Sequence, residues 1–179
     1  SSGNVYTTGS FSGTVDFDPG VSTFNLTSLG NSIFVSKLDT NGNFIWAKNQ
    51  GGSWFVVSDD QHIFSFYGSA GFQGSLEKYD RDGNVVWSKL MGGRPSTWPA
   101  GNGPIAIDPA NNIYLTGEFN YTADFDPSPS VYNMTAVGGG FNFDAFITRF
   151  DYNGNFIWAK QMGNFSEEGN FPYLILPAT

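Results

Sequence analysis

One string occurs three times in this chain: LDTNGNFIWAK (38–48), YDRDGNVVWSK (79–89) and FDYNGNFIWAK (150–160). Self-similarity of this kind makes a chain fold as successive copies of one small unit, each burying its apolar face on the next. A second string precedes each copy: NVYTTGSF (4–11), HIFSFYGS (62–69) and NIYLTGEF (112–119). A third, FVVSDD (55–60) and IAIDPA (105–110), precedes two of those, and LILPAT (174–179) has the same character.

Each unit reads as four short strands. The third strand covers IFVSKLD (33–39), SLEKYD (75–80) and AFITRFD (145–151), and the fourth is the GNFIWAK type. All are rich in aromatic and β-branched residues and are bounded by Gly, Asn, Asp or Pro. Composition agrees: 18 Phe, 8 Tyr, 5 Trp and 23 Gly stand among 179 residues, only 13% of them charged. No segment holds a helical period long enough to compete. The expected fold is all-β: three four-stranded antiparallel blades of a β-propeller, either a partial propeller or an excerpt of a larger one. The expected divisions are 1–52 (lacking its first strand), 53–93 (short) and 102–163. Residues 171–179 would be the first strand of a following or ring-closing blade. Three blades are fewer than an ordinary propeller holds, so an excerpt, or several chains sharing one ring, is expected over three blades closing alone.

The third and fourth strands meet at D-x-[ND]-G-N. There Asp39, Asp80 and Asp151 are placed to accept turn amides, and Gly42, Gly83 and Gly154 to take a positive φ. Trp46, Trp87 and Trp158 recur at one place in each fourth strand, and a ring there is expected to wedge between neighbouring sheets. Two long connections match each other, 11–31 and 119–144, sharing TVDFDPG with TADFDPS and FNLTSLG with YNMTAVG. Their alternation predicts a small added hairpin, and loops of this length are commonly functional. The second unit makes the same passage through a few residues near 70–74.

Several groups bear on chemistry. In D-F-D-P, Asp16 with Asp18 and Asp124 with Asp126 would each offer two carboxylates on one side of a strand, a fit to Ca2+; the plainer reading is a strand edge stopped by Pro19 or Pro127. The D-x-[ND]-G-N turn looks like half a calcium loop without its distal acid. His62, the only histidine, occupies the position of Asn4 and Asn112 and reads as a turn substitution. The acidic pairs Asp59–Asp60 and Glu167–Glu168 read as solvated turns. Sequons begin at Asn25, Asn120, Asn133 and Asn164. No catalytic residue and no bound cofactor other than Ca2+ is expected. A net charge of −8, with 8 basic residues against 16 acids, argues against nucleic acid. Without cysteine there is no disulfide or thiolate chemistry, and no apolar run approaches a transmembrane helix.

GNVYTTGSFSGTVDFDPG followed by IFVSKLDTNGNFIWAK resembles the bacterial β-propeller repeat known as the SBBP repeat. A second copy is IAIDPANNIYLTGEFNYTADFDPS with DAFITRFDYNGNFIWAKQMG. The resemblance implies part of a secreted or surface-attached protein of the kind found in Bacteroidota, where such repeats accompany adhesive modules. The second unit departs from the pattern by lacking the DFDP insertion. A weaker likeness is to quinoprotein-type propellers, whose repeats also end in G-x-x-x-W, here Gly42–Trp46, Gly83–Trp87 and Gly154–Trp158. The expectation is a non-enzymatic extracellular scaffold or adhesion module, its partners other blades and a protein or glycan ligand at the cell surface. The alternatives are a propeller enzyme (lyase, glycosidase or quinoprotein-like) and a structural subunit of a surface assembly.

Overall fold

The computed structural model describes residues 3–50, 55–57, 62–67, 74–91, 99–100, 105–137 and 143–165. The chain is all-β, and its strands form several small antiparallel sheets. The first sheet is β1 (Val5–Asp16), β2 (Asn25–Leu38) and β3 (Phe44–Gln50), in that order. The second is β4 (Phe55–Val57), β5 (His62–Tyr67), β6 (Gly74–Asp80) and β7 (Val85–Met91), again in chain order. The third begins with β8 (Pro99–Ala100) and β9 (Ile105–Ile107), which pair with opposite ends of β10 (Ile113–Phe119). After β11 (Thr122–Asp124) and β12 (Asn133–Thr135), a two-stranded sheet of their own, it is completed by β13 (Phe143–Phe150) and β14 (Phe156–Phe165). No helix long and apolar enough to cross a membrane occurs among the described residues. The strand expected over 171–179, the acidic pairs Asp59–Asp60 and Glu167–Glu168, and all but the last residue of the 70–74 connection lie outside those residues.

One turn is built three times. Asp39, Asp80 and Asp151 each donate their N–H to the carbonyl of Asn43, Asn84 or Asn155 at 2.9 Å. Each carboxylate Oδ1 accepts the amides two and four residues on, at 2.8–2.9 Å. Gly42, Gly83 and Gly154 close the turns at φ +83°, +73° and +75°, where a Cβ would be strained. Asp108 repeats this chemistry between β9 and β10, accepting Ala110 N and Asn112 N, and Asn111 at φ 63° takes the glycine's place.

The two long connections differ in construction although their sequences match. In the first sheet the added hairpin is continuous with β1 and β2, which run on together past a register shift between Phe11 and Gly13. In the third sheet it stands apart as β11 and β12, separated from β10 by Tyr121 at φ 56°. Both are anchored by the same aromatics. Phe17 packs against Phe11 and Phe34 at centroid distances of 5.3 and 4.6 Å. Phe125 packs against Phe119 and Phe146 at 5.2 and 4.9 Å.

The core runs from sheet to sheet. One cluster joins Phe64, Phe66 and Leu76 of the second sheet to Ile113, Leu115, Phe146 and Phe150 of the third. A smaller one joins Val35 of the first sheet to Ile63 and Tyr79 of the second, with Tyr6 and Trp46 against it. Inner strands of the second and third sheets are covered on both faces: five of seven residues are buried in β6 and five of seven in β10. Removing that surface from water is the main driving force, at about 25 cal/mol per Å².

Candidate functional site

A row of three side chains crosses each of the three larger sheets: an aromatic, a cation and an indole. Strand register puts Tyr6 opposite Lys37 and Lys37 opposite Trp46. It likewise aligns Phe64, Lys78 and Trp87, and Tyr114, Arg149 and Trp158. Within each row the aromatic meets the indole edge-on, with centroids 6.2, 6.0 and 6.3 Å apart. The cation lies over the aromatic ring at 5.2, 5.6 and 5.8 Å.

The row of one sheet receives the D-x-[ND]-G-N turn of the next. A Cβ built on Gly83 would lie 3.0 Å from Trp46 Cη2, and one built on Gly154 would lie 2.9 Å from Trp87 Cη2. Only glycine lets the indole lie this close to the turn backbone. Lys37 Nζ donates to Arg81 O at 3.0 Å, and Trp46 Nε1 donates to the same carbonyl at 3.0 Å. In the second joint Lys78 Nζ donates to Tyr152 O at 3.4 Å and lies 3.3 Å from the Tyr152 ring centroid. Arg81 and Tyr152 are equivalent residues, each following its turn aspartate. Lys37 and Lys78 are only 5% and 4% exposed. Burying an ammonium costs several kcal/mol, so the carbonyl and the ring faces are what make these positions tenable.

His62 belongs to the second joint. It is hydrogen-bonded through Nδ1 to Tyr152 Oη and meets that ring edge-on at 5.2 Å. The turn-substitution reading missed this contact because Tyr152 lies 90 positions away. At the joint's rim, Lys48 Nζ donates to Asn84 Oδ1 at 2.8 Å. Lys89 is the equivalent residue in the second sheet, and its charge helps to lower the pKa of Asp151.

The turn carboxylates are held in their charged form. The side-chain amide and then the N–H of Asn43 lower Asp39. The N–H of Asn84 leads in lowering Asp80. At Asp108 and Asp151 burial pushes upward, but the amide donors of Asn112 and Asn155 outweigh it. A carboxylate depressed on folding binds fewer protons folded than unfolded. Its stabilisation is therefore complete above the ordinary aspartate pKa of about 3.9 and is lost as pH falls through the lower folded values. Urea unfolding should show no contribution to pH dependence from these groups above pH about 5 and a falling midpoint below about 4.

The D-F-D-P aspartates close the added hairpins. Asp16 Oδ1 accepts Asp18 N at 3.0 Å and Phe24 N at 2.8 Å, and Asp124 Oδ1 accepts Asp126 N at 3.1 Å and Tyr132 N at 2.8 Å. Asp18 and Asp126 accept Gly20 N and Ser128 N. The strands stop at Asp16 and Asp124, so the second aspartate of each pair lies beyond the strand and the same-side argument does not apply to it. Among the described residues no group of three or more His, Asp or Glu is gathered as for a metal. Of the sequons, Asn25 and Asn133 are exposed, whereas Asn120 is 4% exposed and closed to a glycan in the folded chain. Glu77 is a satisfied carboxylate, accepting the hydroxyls of Tyr79, Ser75 and Ser88 on its own sheet.

No protein-family model matches the chain, and no curated protein matches it. The residues that sequence reading passed over are the cations of the rows. The signal was present: six of the eight Lys and Arg residues fall at two positions, two before the turn aspartate and two after the tryptophan.

Proposed function

We propose that this chain is a non-enzymatic interaction module of an extracellular bacterial protein, a run of β-propeller blades whose added hairpins form its contact face. The blade reading rests on the same joint occurring twice between successive meander sheets, a relation that propagates radially when repeated. The resemblance to the SBBP repeat supports the setting at a cell surface.

One observation carries the contact face: the added hairpins are stiffly anchored at the base and apolar at the tip. Phe17 and Phe125 hold them to their sheets, while Val21 is fully exposed and Val131 is 68% exposed. Each tip lies next to a D-F-D-P aspartate pair, so apolar and acidic groups share one surface. A preorganised surface loses little ordering entropy on binding, which favours an interaction role for exposed apolar groups. The ligand class that fits is a protein or glycan surface with basic or hydrogen-bonding groups around an apolar patch.

The test uses the double variant Val21→Asp, Val131→Asp, at positions that support no packing. Retention of the chain on protein and glycan arrays, and on intact bacterial cells, should fall at least about tenfold with an unchanged melting temperature, as for loss of interface hot spots. Equal retention of wild type and variant would remove the hairpins from the contact face.

A further inference from the structure

Among the described residues, the joint that occurs twice leaves one row and one turn unmet. On the third sheet, Tyr114, Arg149 and Trp158 form a complete row, with the edge-on ring contact and the cation over the ring in place. Among the described residues no turn lies on it. Arg149 Nε is buried and has no hydrogen-bond partner, although Lys37 and Lys78 in the same position each donate to a turn carbonyl. Lys160, the counterpart of Lys48 and Lys89, is exposed, whereas those two are half-buried.

The other half is the turn Asp39–Asn43 of the first sheet. It has the same hydrogen bonds and positive-φ glycine as the two turns that sit on indoles. Gly83 and Gly154 are buried under Trp46 and Trp87, but Gly42 is exposed and a Cβ there would meet nothing within 4 Å. Lysine charge contributes to lowering Asp80 and Asp151, whereas Asp39 is lowered by the donors of its own turn, Asn43 foremost. The row and the turn thus carry the same groups as their counterparts in the two joints.

We propose that the Tyr114–Arg149–Trp158 row accepts the Asp39–Asn43 turn of a second copy of this chain, so that copies associate head to tail. Trp158 covers the partner copy's Gly42, Arg149 donates to its Thr40 carbonyl, and Lys160 faces its Asp39 and Asn43. The contact is heterologous, so it propagates until the rotation between copies closes a ring, or continues as a filament. It uses neither of the added hairpins, and it stands or falls separately from their role in binding.

Sedimentation velocity over a wide concentration range tests it, with Trp158→Ala disabling the acceptor and Gly42→Val the turn. Wild type should associate as concentration rises. Trp158→Ala should weaken association at least about 30-fold, as for a central aromatic anchor. Neither variant should associate alone, but an equimolar mixture should give a capped heterodimer, because each supplies the half the other lacks. Lys160→Glu, at an exposed position that leaves the fold intact, should weaken association in low salt and less so in high salt. A wild type that stays monomeric up to millimolar concentration would overturn the proposal. So would association that survives both Trp158→Ala and Lys160→Glu, or a mixture of the two single-face variants that stays monomeric.

Discussion

Gly154→Ala should lose about 3 kcal/mol of stability, while Gly42→Ala, the same change in the same turn, should lose about 1 kcal/mol. Both residues sit at positive φ, +75° and +83°, so both variants carry the backbone strain of a Cβ there. Only at Gly154 does the new methyl also meet an indole, with three Trp87 carbons 2.9–3.1 Å from the Cβ position. The Trp87 ring is held by Phe64 on its own sheet, so it can move aside only by opening the joint. Urea midpoints at constant slope would give both values. Equal losses for the two variants would mean that the indole does not seat on the turn.

Trp87→Ala should cost about 3 kcal/mol, the lower end of the range for removing a large aromatic from a core. It takes away the lid of the Gly154 turn and one side of the cluster that includes Phe64, Met91 and Tyr152. Trp158→Ala, measured in protein dilute enough to be monomeric, should cost about 1 kcal/mol, because its ring loses mainly the edge contact with Tyr114. The ordering of the two tryptophans matters more than either figure. A larger loss at Trp158 would contradict the assignment of the third row as the unmet one.

The sheets and turns were legible because their signals are local. D-x-[ND]-G-N carries its own hydrogen-bond partners within five residues, so Asp39, Asp80 and Asp151 could be placed without knowing what surrounds them. The position of the tryptophans was equally plain, but the object each covers was not, since Gly83 is contributed by another sheet. Lys37 and Lys78 were not singled out in the sequence, since lysine is seldom fully buried. Their burial depends on a carbonyl 44 and 74 residues away. The two acids of each D-F-D-P pair were placed on one side of a strand because alternation was carried past Asp16 and Asp124, where the strands end. The phenylalanine between the acids, Phe17 or Phe125, turned out to be the anchoring residue, and only the packed aromatics could show it. Asp108 was missed as a turn former because Asn111 stands where the other turns have glycine.

The most direct measurement is the proton NMR shift of the turn glycines in dilute, monomeric protein. An aromatic ring stacked over a glycine moves its α-protons strongly upfield. Gly83 and Gly154 should show that displacement and Gly42 should not. Ordinary shifts at all three glycines would mean that no indole covers a neighbouring turn, and that the sheets are not joined as described.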